Sequence, residues 1–355
     1  MQRFAAFVAL LTLALPTFAQ DQQQPFGERV DVNVVLLDAI VTDAEGNQIL
    51  GLDKSDFVVK ENGVEQPVES IDYFTNRKLL DARESNAPFK VEQVREERYF
   101  IFFFDRPASP AGLFDRLVLA RDSVKTFIRN EMKEGDKVAL AGHDVRLKIY
   151  SDFTSDKAKL EKSLEQVVKL GKGLTKSTDG AAEGASIMRN INTRDMINDT
   201  GTVYESLQLL AEATRSIRAR KNFVLFSPGI IEPGDTPVGG ILTGRSPHLD
   251  PALRALNASN VTVYAANLQG APALDPLFHQ RLTDIAEATG GEYTRYNTTY
   301  TNFVDRVENT NAGYYLISYR ANKRAGTTGF QKVDVSVRNQ PQLKVTARPG
   351  YAFGS

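Results

Sequence analysis

At 355 residues, with 42% hydrophobic and 25% charged residues, the chain has the composition of a globular protein long enough for one large domain and a smaller one. Its 43 basic and 44 acidic residues leave a formal net charge of -1 and are spread without a basic block, which argues against electrostatic capture of nucleic acid or of an anionic membrane. There is no cysteine, so disulfides, thiolate catalysis, thiolate-zinc sites and a lipid-modified cysteine anchor are excluded.

Residues 1–19 read as a cleavable signal peptide: Arg3 gives a positive start, 4–15 are apolar, and Thr17-Phe18-Ala19 ends on the small residue that signal peptidase prefers. The apolar stretch falls short of the ~20 residues that span a bilayer. Pro16 and Gln20-Asp21-Gln22-Gln23-Gln24 follow at once, so the expectation is a periplasmic or secreted bacterial protein with no stable membrane anchor. Residues 28–76 read as a small β module. Within it, residues 30–42 (VDVNVVLLDAIVT) alternate and then run apolar, Asp43-Ala44-Glu45-Gly46-Asn47 supplies a turn, Val58-Val59-Lys60 is a short strand, and Glu61-Asn62-Gly63 is a tight turn in which Gly63 takes positive φ. Residues 77–97, charged and carrying Asn86-Ala87-Pro88, read as a linker.

From 98 to 312 strands and helices alternate. The run YFIFFFD at 99–105 is a strand buried on both faces that ends on a carboxylate. Ligands bind at the carboxyl ends of strands in open α/β sheets, which puts Asp105 at a site. Residues 113–130 have helical spacing, 137–141 and 146–150 form an edge hairpin, and 155–170 form a second helix capped by Ser155. A Gly-, Ser- and Thr-rich loop is expected at 171–193, a helix at 203–219, and a buried strand at 222–226 stopped by Ser227-Pro228-Gly229. Then come a Gly/Pro loop at 232–246, a helix at 251–258, a strand at 261–265, and a helix at 275–289 stopped by Gly290-Gly291. This order predicts an α/β fold with a doubly wound, mostly parallel, Rossmann-like sheet covered on both faces. The closing segment, 313–355, adds antiparallel strands at 313–320, 331–337 and 343–347.

Three stretches carry a resemblance beyond that order: VVLLDAIVTDAEGNQILGLDKSDFVVKENGVEQPV near the start, LTDIAEATGGEY, and the closing YYLISYRA, VSV and VTARPGY. Together they resemble the von Willebrand factor type A (VWFA) domain, and within it the VWFA-related acidobacterial branch. The resemblance implies a metal-ion-dependent adhesion site (MIDAS) at the top of the sheet. There a divalent cation (Mg²⁺, Mn²⁺ or Ca²⁺) is held by hard oxygen ligands from three loops and leaves one position for an acidic group of a protein partner. Of the Asp-x-Ser-x-Ser loop, Asp105 matches the first position and Ser109 the last, with Pro107 in the middle. In NDTGTVYESL, Thr202 matches the metal-facing threonine, with Thr200 and Asp199 beside it should the register differ; in VLFSPGI, Pro228 stands where the family carries Asp. The implied metal ligands are Asp105, Ser109 and Thr202, a degenerate site with one carboxylate where two normally anchor the ion. Two readings stay open: a weakened cation site, or Asp105 accepting hydrogen bonds from Ser109, Thr202 and loop amides and organising the loops. Asp235, in the Gly/Pro loop, is the carboxylate that would restore the second.

Other chemistry is thin. His143, His248 and His279 form no HExxH or HxH pattern, no GxSxG surrounds Ser227, and there is no GxxxxGK[ST]. PGDTPVGGILTG, residues 233–244, reads as a recognition loop or a tolerated insertion. The expected function is noncatalytic, adhesion- or scaffold-type binding of an unknown protein partner, with no certain cofactor. The alternative is a hydrolase with Asp105 or His143 as base.

Overall fold

The computed structural model of the chain describes residues 34–44, 47–75, 97–106, 113–169, 185–217, 219–238, 241–269, 277–295, 299–311, 313–321 and 329–353. The signal peptide expected at 1–19 and nearly all of the expected linker, 77–96, lie outside these residues. Four strands come first: β1 (Val34–Thr42), β2 (Phe57–Glu61), β3 (Val64–Gln66) and β4 (Val68–Thr75). The turn between β2 and β3 holds Asn62 at φ +48° and Gly63 at φ +85°, two left-handed residues whose twist suits a two-residue hairpin.

The alternating part follows as β5 (Tyr99–Asp105), α1 (Leu113–Asn130), β6 (Lys137–Asp144), β7 (Arg146–Thr154), α2 (Lys157–Leu164), α3 (Thr193–Asn198), α4 (Val203–Ala213) and β8 (Lys221–Ser227). It continues through β9 (Pro237–Val238), β10 (Ile241–Leu242), α5 (Leu249–Ala258), β11 (Val261–Asn267), α6 (Leu277–Ala288), β12 (Tyr293–Thr294) and α7 (Thr301–Thr310). These make a six-stranded sheet in the order β12-β11-β8-β5-β6-β7, parallel except for the edge strand β7. β5, β8 and β11 are buried at every residue, which is why their sequences run apolar rather than alternate. Ile101 and Phe103 enter one core with α4, α5 and α6, while Phe100, Phe102 and Phe104 enter a second with α1, α2 and α7. From β5 the chain builds outward through β6 and β7, then returns to β8 on the other side of β5. The strand order therefore reverses between β5 and β8, and the crevice opens at their carboxyl ends, at Asp105 and Ser227.

Four more strands close the chain: β13 (Gly313–Arg320), β14 (Gly329–Val337), β15 (Lys344–Ala347) and β16 (Gly350–Phe353). They pair with the opening strands in two four-stranded sheets, β15-β1-β13-β4 and β16-β14-β2-β3, around a shared core that includes Leu37, Val59, Ile317 and Val333. Residues 28–76 and 313–355 are expected as separate pieces; in their described parts the strands of each complete the ladders of the other, and the α/β part is inserted between the two halves. Contact between the two parts is at the amino ends of the parallel strands. Asn260, just before β11, donates to Asp38 of β1 at 3.3 Å, and Gly290, at φ +73° after α6, lies so close to Ala347 that a Cβ would meet its carbonyl oxygen at 2.5 Å. The crevice at Asp105 is on the opposite edge.

Local signals were right in kind and shifted in detail. The helix expected at 155–170 ends at Leu164, and its cap is Asp156, whose side chain accepts from Lys159 N at 3.0 Å. The Ser155 hydroxyl turns away and donates to Asp136 O at 2.9 Å. The helix expected at 203–219 stops at Ala213, where the Thr214 hydroxyl donates back to Ala211 O at 2.9 Å. Thr193, the expected end of a loop, begins α3 behind an Asn192 cap. Among the described residues no helix is long and apolar enough to cross a membrane.

Candidate functional site

Asp105 is the last residue of β5 and is 3% exposed. The hydroxyl of Ser227, the last residue of β8, donates to Asp105 Oδ2 at 2.5 Å and accepts from Gly229 N at 3.1 Å. This O–H···O bond extends the β5–β8 pairing by side chains, one residue past its last ladder pair, Phe104 and Phe226. Burial pushes the Asp105 carboxyl up to about 7; the Ser227 hydrogen bond works against that rise, and the charge of Glu232 adds to it. Beside it on β6, in register with Asp105, His143 places Nδ1 2.8 Å from Ser206 Oγ of α4. Burial pushes this imidazole down to about 4, so it is neutral at ordinary pH.

Thr202 is the N-cap of α4, as the resemblance placed it. Its hydroxyl accepts from Glu205 N at 3.1 Å, and Glu205 Oε2 accepts from Thr202 N at 2.8 Å, a reciprocal capping box. The alternatives beside it are committed elsewhere: the Thr200 hydroxyl, fully buried, accepts from Leu147 N at 3.0 Å and donates to Met196 O at 2.5 Å, and Asp199 is the C-cap of α3. Ser109 and Pro107 lie outside the described residues. Asp105 and Thr202 therefore come to the same end of the sheet, but the hydroxyl on Asp105 is that of Ser227.

Asp235 does not serve as the second carboxylate of the crevice. Its side chain is 0% exposed and accepts from Arg281 Nε at 3.0 Å and Nη2 at 2.8 Å, from Glu232 N at 3.0 Å and from Ser246 N at 3.2 Å. Arg281 also donates to Asp284 at 2.8 Å and to Gly244 O. The Gly/Pro loop is thereby pinned to α6. The acid that reaches the crevice is Glu232, which the sequence reading passed over: its Oε1 accepts from Val203 N at 3.0 Å, at the amino end of α4, and burial raises its carboxyl above the usual range.

A rim of exposed apolar side chains surrounds these groups. Val145, the one residue between β6 and β7, is 61% exposed, Ile197 at the end of α3 is 52% exposed, and Ile231 after β8 is 41% exposed. Arg146 ties the hairpin tip to α3 through Nε on Ile197 O at 2.6 Å, and His248 pairs with Glu205 at 3.2 Å alongside. Val145 sits at φ +64°, a region that β-branched residues avoid. Val145→Gly is expected to raise stability by about 1 kcal/mol in urea denaturation, by relieving that strain against the added entropy of glycine.

Two kinds of chemistry can be tested against this arrangement. A hard divalent cation needs about six oxygens. Asp105 is bonded to Ser227, Thr202 closes a capping box, Pro228 brings no side-chain donor, and among the described residues no three His, Asp or Glu side chains gather to hold a metal ion. Of the implied ligands Ser109 lies outside the described residues, and the two described ones, Asp105 and Thr202, do not by themselves make up the oxygen set of such a cation. For hydrolysis, His143 with Ser206 is a base–hydroxyl pair, but His143 is 7% exposed and Ser206 and Ser227 are fully buried, out of reach of a substrate.

No family model matches the sequence, and no curated protein matches it. Solved structures similar to the chain include the vWF domain of the type V pili tip protein Mfa5 from Porphyromonas gingivalis, at 12% identity and TM-score 0.40 over 61% of this chain and 96% of that one. BatB from Bacteroides thetaiotaomicron is similar at 12% identity and TM-score 0.38, over 60% of this chain and 97% of that one. Proximal thread matrix protein 1 from the mussel byssus, with a zinc-occupied MIDAS motif, is similar at 15% identity and TM-score 0.38, over 65% of this chain and 50% of that one.

Proposed function

We propose that this chain is an exported, noncatalytic protein-binding module of adhesion or scaffold type that takes its partner at the carboxyl end of the parallel sheet. The observation that carries the reading is the exposed rim of Val145, Ile197 and Ile231. These come from three separate segments, the β6–β7 turn, the end of α3 and the stretch after β8, set around the point where the strand order reverses and away from the antiparallel β unit. Burying such a side chain against a partner is worth roughly 1.5–3 kcal/mol, so a few of them make an interface core. That Val145 is kept both strained and exposed supports a role outside folding. Asp105 and Ser227 organise this face from beneath, and no catalytic step is assigned to them.

The test is site-specific photocrosslinking in cells that export the chain. A benzophenone side chain at position 145 is expected to give discrete protein adducts. The same group at Val64, equally exposed on the far antiparallel unit, is expected to give none. Adducts at 64 but not at 145 would move the interface off this face.

A further inference from the structure

We infer that the crevice between β5 and β8 is closed by a hydroxyl–carboxyl clasp, Ser227 on Asp105, in the place where the resemblance puts a divalent cation, and that the face is organised without metal. The inference deepens the proposal of a binding face there, but it stands on groups that can be tested with no partner present.

The Ser227 hydroxyl is used in both directions. Ser227 gives its one proton to Asp105 at 2.5 Å and takes one from Gly229 N at 3.1 Å. On the opposite face of the sheet the rings of Phe104 and Phe226, the residues just before the pair, stack at 5.3 Å between centroids and fix the two strand ends side by side. Among the described residues the other acids that a cation there could recruit lie at the rim, and each has another task. Glu232 holds Val203 N at 3.0 Å, Glu205 holds Thr202 N at 2.8 Å and pairs with His248 at 3.2 Å, and Asp235 holds Arg281 at 2.8 Å. Drawing any of them to an ion would strip a partly buried amide or guanidinium of its acceptor, a loss of order 1–3 kcal/mol for each group left unpaired, before the ion's dehydration is counted. The hydroxyl does the bridging a cation would do, linking the end of β5 to the turn after β8, at no such cost.

The experiment is thermal melting of the full chain in millimolar Mg²⁺, Mn²⁺ or Ca²⁺ and in EDTA, alongside Mn²⁺ electron paramagnetic resonance. The wild-type midpoint is expected to be the same in all four solutions, and the free Mn²⁺ signal to keep its intensity when equimolar protein is added. Ser227→Ala is expected to lower the midpoint equally in every solution, because it removes the bridge. A midpoint raised by several degrees by any of the three ions, or a quenched Mn²⁺ signal, with the effect lost in Asp105→Asn, would overturn the inference. Should Ser227→Ala fail to fold, the wild type and Asp105→Asn decide alone. A partner that docks elsewhere would leave every one of these melts unchanged, so the clasp and the binding face fail separately.

Discussion

Asp235→Ala is expected to destabilise the chain by about 3 kcal/mol in urea denaturation. Removing the acid strands the Arg281 guanidinium, which is 3% exposed, and also strips the acceptor from the Glu232 and Ser246 amides. Breaking a buried ion pair from one side costs roughly 3–5 kcal/mol, because a desolvated charge is left without its partner. The lower end applies here, since Arg281 keeps Asp284, which is 35% exposed, at 2.8 Å. Replacing both partners by apolar residues, as in Asp235→Leu with Arg281→Met, is expected to cost less than Asp235→Ala alone. The pair's worth lies in holding the loop rather than in net attraction. A single variant that loses under 1 kcal/mol would show that the loop is not anchored through this pair. The same loop carries Ile231 and Glu232, so Asp235→Ala also tests whether the rim must be rigid to bind.

What was legible in the sequence was whatever is signalled within one element. The run ending at Asp105 announced a strand buried on both faces with an acid at its carboxyl end, and a helix was expected to start at 203; both stand in the structure as read, although the capping box of Thr202 with Glu205 went unread. The partners of those residues were not legible, because they are set by packing across long separations. Ser227 read as a strand stop, and nothing near it points to an acid 122 residues earlier. Asp235 read as a spare carboxylate for the crevice, while Arg281, which claims it, lies 46 residues further on in a helix whose pattern shows only amphipathicity. Glu232 gave no signal at all: a glutamate beside a proline in a loop becomes a helix cap only when the loop is pinned. The opening strands followed the same rule. Alternation announced a strand over 30–42, of which the described part, 34–42, is β1, but not that its neighbours would be β13 and β15 at the other end of the chain.

The second large effect concerns pH, where two buried groups on adjacent strands oppose each other. Asp105 titrates near 7 in the folded chain against 3.8 ordinarily. Between those values the folded state holds a proton that the unfolded state has lost, so stability from this group falls as pH rises from about 4 to 7, by roughly 4 kcal/mol in all. His143 titrates near 4 in the folded chain against 6.5 ordinarily. Between those values the unfolded state binds the extra proton, so stability from this group rises with pH over nearly the same range, by roughly 3 kcal/mol. The groups facing them differ: Glu232 adds to the rise at Asp105, while Asp144 and Glu205 pull His143 up and Arg146 and Lys148 push it down, all within the larger effect of burial. The wild-type profile is therefore expected to be nearly flat between pH 4 and 6.5 once the exposed carboxylates, common to all variants, are subtracted. Asp105→Asn unmasks the histidine: relative to wild type it should lose stability as the solution is acidified and be the more stable protein at pH 8. His143→Gln unmasks the acid and should gain relative to wild type on acidification. Urea midpoints of the three proteins from pH 4 to 8 decide it. Two variants running parallel to wild type would mean that neither group is held away from its ordinary titration, and that the crevice floor is wetter than its burial implies.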